Sequence, residues 1–405
     1  MSSDETPLQA RPKSPETVQR PIYLDNHATT RVDPRVVAAM LPFFDQQFGN
    51  AASVNHAYGW EAARAVEEAR ARIGELLNCP PEVIIFTSGG TESNNLALKG
   101  ALRAAPRATS QPGHLIVSAA EHRSVLDPAR RLQRQGIELT ILDVDGAGMV
   151  DPAAVEGALR PNTVLVSVML ANNEVGTINP VAQIGRICKA HRVLLHCDAV
   201  QAVGRIPVDI AQLPVDLMTI SAHKLYGPKG VGALYVRRGG SPVRLEPILD
   251  GGGHERRLRS GTLPVPMIVG FGAAAALARD ALPAEATRLA TLRDRLWNGL
   301  GAALDGLALN GHPTARLPGN LHVSFDGVNG ELLMTNLTGI AVSSGSACTS
   351  ADPEPSHVLR AMGISESRSR ASVRFGLGRF TTESEIDVAI RHVCDIVGRL
   401  RAGQR

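Results

Sequence analysis

Apolar residues recur at helical spacing through residues 60–77, at Ala62, Val66, Ala69, Ile73 and Leu76, which predicts an amphipathic helix. The run Val83-Ile84-Ile85-Phe86 that follows is short and continuous. It predicts a buried strand, closed by Thr87-Ser88-Gly89-Gly90. Further short apolar runs lie at residues 115–117, 164–169, 193–197, 217–221 and 232–236, with helical patterns between several of them, as at residues 124–135 and 180–191. Alternation of this kind predicts an α/β unit, with a mostly parallel sheet between two layers of helices. After Gly270 the pattern changes. An alanine- and leucine-rich helical stretch runs to about Leu304, followed by a strand near residues 320–325, a helix near 331–337, a strand near 341–343 and a helix at 383–400. These elements predict a smaller α+β domain. The expected organisation is a disordered tail over residues 1–20, a segment over 21–45 that packs with the small domain, a large domain over 46–275 and the small domain over 276–405.

The 405 residues are enough for two such units. A net charge of +3 is too small at this length to point to a nucleic-acid or membrane partner. No apolar run reads as long enough to cross a bilayer. The first twenty residues are polar and lack the apolar core of a secretory signal. Of the cysteines, Cys79, Cys188, Cys197, Cys348 and Cys394, no two form a Cys-x-x-Cys pair. Their odd number and scatter argue against a disulfide framework or a preformed zinc site, and suit reduced thiols in the cytoplasm.

In an α/β sheet, ligands gather at the carboxyl ends of the strands. Residues 87–94 place glycines and Thr91 at the start of a helix. That suits a phosphate at Gly90 and Thr91, or a plain glycine turn with Thr91 as helix cap. Asp198 ends the strand at 193–197, with Gln201 one turn on. It could partner a pyridinium nitrogen or cap a helix. Lys224 follows the strand at 217–221 closely, where a charge is costly to bury. It could be a Schiff-base amine or a solvated loop lysine. Ser221 and His223, just before it, could reach a phosphate. His122 could stack on an aromatic cofactor and exchange protons, or be structural. Asn173 could donate to a ring oxygen or belong to a turn. Taken together, a phosphate loop, an electron-sink aspartate and a lysine meet the needs of pyridoxal phosphate.

Two further features lie in the small domain. Ser343-Ser344-Gly345-Ser346-Ala347-Cys348-Thr349-Ser350 surrounds one cysteine with small polar residues. Cys348 therefore reads as an exposed, reactive loop cysteine, not a core one. Arg374, between Val373 and Phe375, could grip a carboxylate with two hydrogen bonds, or sit on an edge strand.

With these residues in hand, the chain resembles the cysteine desulfurases whose active cysteine lies in a Ser-Ser-Gly-Ser-Ala-Cys-Thr-Ser loop. The matching segments are residues 23–30, 87–94, 121–122, 172–174, 196–201, 221–230, 251–264, 343–350 and 374–382. The resemblance implies a pyridoxal-phosphate transferase of fold type I, in which the large domain binds the cofactor and the small domain carries the cysteine loop. It implies a homodimer that converts L-cysteine to L-alanine and holds the sulfur as a persulfide. In that scheme Lys224, Cys348 and His122 are catalytic. Lys224 holds the cofactor, Asp198 pairs with its ring nitrogen, His122 stacks on the ring, and Gln201 and Asn173 contact its oxygen side. Gly90, Thr91, Ser221 and His223 bind the phosphate, and Thr262 reaches the phosphate of the other subunit. Arg374 holds the substrate carboxylate and Cys348 is the nucleophile. The implied partner is a sulfur-acceptor or iron–sulfur scaffold protein, with Cys348 a candidate transient cluster ligand. The serine-rich loop favours iron–sulfur supply, with transfer-RNA thiolation a second outlet. The rivals are an aminotransferase or selenocysteine lyase of the same fold, which would not need Cys348, and a non-catalytic sulfur-relay subunit, which would not need Lys224.

Overall fold

The computed structural model describes residues 20–105, 112–344 and 355–403; the segment 1–19 and Cys348 lie outside them. Its strands are β1 (Ile22–Tyr23), β2 (Ile84–Thr87), β3 (His114–Ser118), β4 (Glu138–Leu142), β5 (Thr163–Ser167), β6 (Leu194–Asp198), β7 (Leu217–Ser221), β8 (Gly232–Val236), β9 (Leu307–Leu309), β10 (Asn320–Phe325), β11 (Ile340–Ala341) and β12 (Ser372–Gly376).

Seven strands form the large sheet in the order β2-β8-β7-β6-β5-β3-β4. All neighbours from β7 to β4 are parallel, and β8 runs antiparallel to both β2 and β7. The continuous apolar runs are explained by burial on both faces. Ile84 and Phe86 face one core with Ala62, Val66 and Ile73 of helix Ala57–Leu77, while Ile85 faces the other with Leu96 and Leu98 of helix Gly90–Ala104. Helix Ala57–Leu77 begins three residues before the apolar pattern does, because the His56 side chain accepts from the backbone N–H of Gly59 and caps it. Strand β4 carries no clear apolar signal. It is an edge strand with mostly half-buried residues, so it needs no continuous hydrophobic run.

A smaller antiparallel sheet has the order β12-β10-β9. The chain's first strand, β1, pairs in parallel with β11. Bridges Asp25–Gly376 and Ser343–Arg374 join this pair to β12, so residues 22–25 pack with the C-terminal part of the chain. Helix Val265–Ala303 links the two units. Residues up to Ala278 pack in the large core, and Leu289, Leu292, Leu296 and Leu300 pack in the small one. A continuous helix therefore passes through position 275, with no linker there. By length and composition this helix could cross a membrane, which corrects the expectation that no apolar run is long enough. Its apolar residues instead fill two cores, as expected of a helix that is hydrophobic on several faces.

Candidate active site

The carboxyl ends of β2, β6 and β7 converge on the expected residues. Asp198 ends β6, in register with Thr219 of β7. Both its oxygens accept: Oδ1 from the backbone N–H of Val200 (3.0 Å) and Oδ2 from Nδ2 of Asn94 (2.8 Å). Past β7, a short 3-10 turn, Ala222–Lys224, turns Lys224 back over the sheet. Its Nζ donates to the carbonyls of His27 (2.5 Å) and Ala28 (2.7 Å). Gln201 Nε2 donates to the same His27 carbonyl at 3.0 Å. The N-terminal residues 25–28 thus lie across the strand ends, and Lys224 is not a solvated loop lysine.

The candidate phosphate loop follows β2. Helix Gly90–Ala104 starts after Gly89 (φ 150°) without any side-chain cap. Thr91 is inside the first turn and is not the cap, so the first N–H groups of the helix are left for another acceptor. A Cβ on Gly90 would lie 2.9 Å from Cγ2 of Val200, just past β6, and 3.9 Å from Cβ of Ser221 at the end of β7, so only a glycine fits this close to the strand ends. His223 Nδ1 contacts Oγ1 of Thr29 at 3.1 Å. Burial first, then the nearby Lys224 and Lys229 charges, lower its pKa to about 4, so the ring is neutral near pH 7. Thr262 is exposed and makes no hydrogen bond to this set among the described residues. Its segment is nevertheless tied to the loop, since Arg259 Nε pairs with Glu92 Oε1 (3.0 Å) while Glu92 Oε2 accepts from the Ser88 N–H (2.7 Å).

On the other side stand His122, Asn173 and Arg374. His122 caps helix Arg123–Arg134 through Nδ1. Arg374, buried on β12, donates to the Asn173 carbonyl (2.8 Å) and to Asp25 Oδ1 (2.8 Å). Although β12 is at a sheet edge, the bridges from Asp25 and Ser343 cover it. Residues flanking the cysteine segment reach the same place: Ser356 Oγ donates to Glu174 Oε2, and His357 Nε2 lies 2.8 Å from the Glu121 carbonyl. Burial, above all, raises Glu174 to about 7. Burial and then the Asp198 charge hold Glu121 well above the usual carboxylate range.

Several buried polar atoms here have no hydrogen-bond partner among the described residues: His27 Nδ1, Asn94 Oδ1, Gln201 Oε1, Arg205 Nε and Arg374 Nε. Each such group costs about 1–3 kcal/mol when left unmade. Their concentration at one place marks a site built for a polar ligand. Cationic Lys224, Arg205 and Arg374 beside uncapped helical N–H groups suit a phosphate and a carboxylate, and Asp198 suits a ring nitrogen. The residues present fit pyridoxal phosphate and an amino-acid substrate.

Sequence reasoning did not assign Asn94, Ser124, Glu174 or Arg205 to the site. Each acts through contacts 19 to 182 positions away; Asn94 and Glu174 fall inside the matching segments 87–94 and 172–174, but nothing local gives any of the four a role. The four described cysteines are free. Burial raises Cys79 and Cys188 to about 12 and raises Cys197 and Cys394 as well, so all four are poor nucleophiles.

Comparison with known proteins agrees with this geometry. Residues 22–388 match the family aminotransferase class-V. A protein named cysteine desulfurase IscS, from Anaeromyxobacter sp. (strain Fw109-5), is 57% identical over 94% of this chain and 93% of its own. Among solved structures, a NifS-like protein superposes with a TM-score of 0.86 at 37% identity, covering 94% of this chain and 100% of its own. A structure described as SspA in complex with cysteine superposes at 0.78 with 34% identity, covering 89% and 100%. The strand-end lysine and aspartate, the uncapped helix and these similarities agree: the chain belongs to the class-V aminotransferase family, within its cysteine desulfurase group.

Proposed function

We propose that this chain removes the sulfur of L-cysteine, leaves L-alanine, and carries the sulfur as a persulfide on Cys348. The outlet is iron–sulfur cluster assembly, with transfer-RNA thiolation a second one. The observation that carries this reading is the meeting of Lys224, Asp198 and Arg374 around unpartnered buried polar atoms. A relative 57% identical bears the name of that activity, and a neighbour 34% identical is described in complex with cysteine.

In this reading Lys224 would hold the cofactor until substrate binds, Asp198 would pair with its ring nitrogen, and His122 would lie against the ring. Gln201 and Asn173 contact its oxygen side, while Gly90, Thr91, Ser221 and His223 take its phosphate. Thr262 serves the phosphate of the other subunit. Bound there, pyridoxal phosphate supplies an electron sink for the carbanion left when the substrate α-proton departs. Arg374 orients the substrate through its carboxylate, using the buried Nε that has no partner among the described residues. Once the substrate is bound, Lys224 Nζ, held at the strand end by the carbonyls of His27 and Ala28, takes the α-proton and later returns it to the same carbon. The Cys348 thiolate attacks the substrate sulfur: the S–S bond forms, the C–S bond breaks, and its electron pair stays on carbon, which gains a proton to become the methyl of alanine.

A homodimer is part of the proposal. Leu41, Phe44, Phe48, Val54, Tyr58 and Trp60 are each more than half exposed, and an apolar cluster of this kind marks an interface. The free cysteines suit a reducing cytoplasm. The acceptor is a sulfur carrier or iron–sulfur scaffold protein, with Cys348 a transient cluster ligand at hand-over. Incubation with cysteine should yield alanine and protein-bound persulfide in equal amounts; if neither forms, the reading fails.

A further inference from the structure

We infer that Asn94 and Ser124 are positioning residues that fix the His122 ring as its Nε2–H tautomer and tie it to the carboxylate of Asp198. The inference rests on the roles given to His122 and Asp198 in the proposed function.

The backbone N–H of Ser124 sets the direction of these hydrogen bonds. Asp198 Oδ2 is an acceptor 2.8 Å from Asn94 Nδ2, which fixes the orientation of the amide. The same Nδ2 donates its second hydrogen to Ser124 Oγ at 2.8 Å. The Ser124 hydroxyl lies 2.8 Å from His122 Nδ1 and donates to it, because that nitrogen is already an acceptor for a backbone N–H. The backbone N–H of Ser124 also points at this Nδ1, at 3.1 Å. Two donors on one ring nitrogen leave it without a proton of its own, so the ring hydrogen lies on Nε2. Asn94, Ser124 and Asp198 are 1%, 8% and 6% exposed, and hydrogen bonds in such a setting are strong and mutually reinforcing. One side-chain amide therefore couples the residue that partners the ring nitrogen to the residue that stacks on the ring. His122 acts from Nε2 alone.

The test is 15N NMR of histidine-labelled holoenzyme, beside steady-state kinetics of Ser124→Ala, Ser124→Thr and Asn94→Ala. In wild type, Nδ1 should be unprotonated and Nε2 protonated. Ser124→Ala should move the Nδ1 resonance toward that of an unbonded ring nitrogen and lower kcat about tenfold, with KM for cysteine unchanged. Ser124→Thr, which keeps the hydroxyl, should restore both. The Ser124→Ala, Asn94→Ala double variant should lose no more kcat than the worse single, as expected of one chain. A merely structural role would not move the ring-nitrogen resonance selectively. A protonated Nδ1 in wild type, or a Ser124→Ala enzyme with wild-type resonance and kcat, would overturn the inference. Wild-type protein that forms no alanine would instead overturn the proposed function, while the ring-nitrogen result still decides the tautomer.

Discussion

The guanidinium of Arg70 holds the carboxylate of Glu255 by bonds of 2.8 and 2.7 Å, although 185 positions separate them. Glu255 Oε2 also accepts from the backbone N–H of Phe86 at 2.6 Å, and Arg70 stacks 4.6 Å above the Phe86 ring. Three consecutive residues, Glu255, Arg256 and Arg257, take positive φ values of 44°, 60° and 66°. Such a turn persists only where its surroundings hold it. The ion pair therefore pins the 251–264 segment to strand β2, which leads into the loop at residues 87–90.

Removing one partner leaves a buried, uncompensated charge. Arg70→Met should lower the free energy of urea unfolding by about 3–5 kcal/mol. The Arg70→Met, Glu255→Leu double variant should lose less than Arg70→Met alone. Equal losses would mean that the pair does not act as a unit.

Arg374 should carry substrate binding. Arg374→Lys keeps the charge but loses the planar fork. It should raise KM for cysteine about 10- to 100-fold, the range for losing a charged hydrogen bond, with little change in cofactor absorbance. Steady-state kinetics read this directly; an unchanged KM would place the carboxylate elsewhere.

Glu174 should make stability depend on pH. Its carboxyl lies near 7 in the folded protein against 4.5 for an ordinary glutamate. The folded state thus holds the proton more tightly. That contribution is fully present below the unfolded value and is lost as pH rises through the folded one. Wild type should therefore lose melting temperature relative to Glu174→Gln from roughly pH 5 to pH 8. A constant difference across that range would contradict the assignment.

The apolar face should be an interface. Sedimentation should show wild type as a dimer and a Phe48→Glu, Trp60→Glu variant as a monomer. A monomeric wild type would remove the dimer from the account.

The residues legible in the sequence are those that end apolar strands. Asp198 and Lys224 stand out because a charge directly after a buried run is costly and needs a purpose. Arg374 is visible for the same reason, between Val373 and Phe375. Asn94 and Ser124 look like ordinary residues of early helical turns, and only tertiary packing brings them to Asp198 and His122. Asp25 lies in a segment that could be quoted as a motif, yet its pairing with Arg374 spans 349 positions. Edge strand β4 escaped notice because half-exposed strands need no strong apolar pattern. The alanine- and leucine-rich stretch from Gly270 to about Leu304 marks most of helix Val265–Ala303, but not that it starts before Gly270 and serves two cores, since alanine-rich periodicity does not report which partner covers it.

If Cys348 takes the sulfur, an enzyme without that thiol can form neither alanine nor persulfide. The most direct measurement is a single turnover with cysteine, comparing wild type with Cys348→Ala, following alanine and mapping persulfide by mass spectrometry. Wild type should form both, with the persulfide on Cys348, and the variant should form neither while keeping its cofactor absorbance. Alanine and free sulfide from the variant would contradict the account and favour a lyase that works without a cysteine nucleophile.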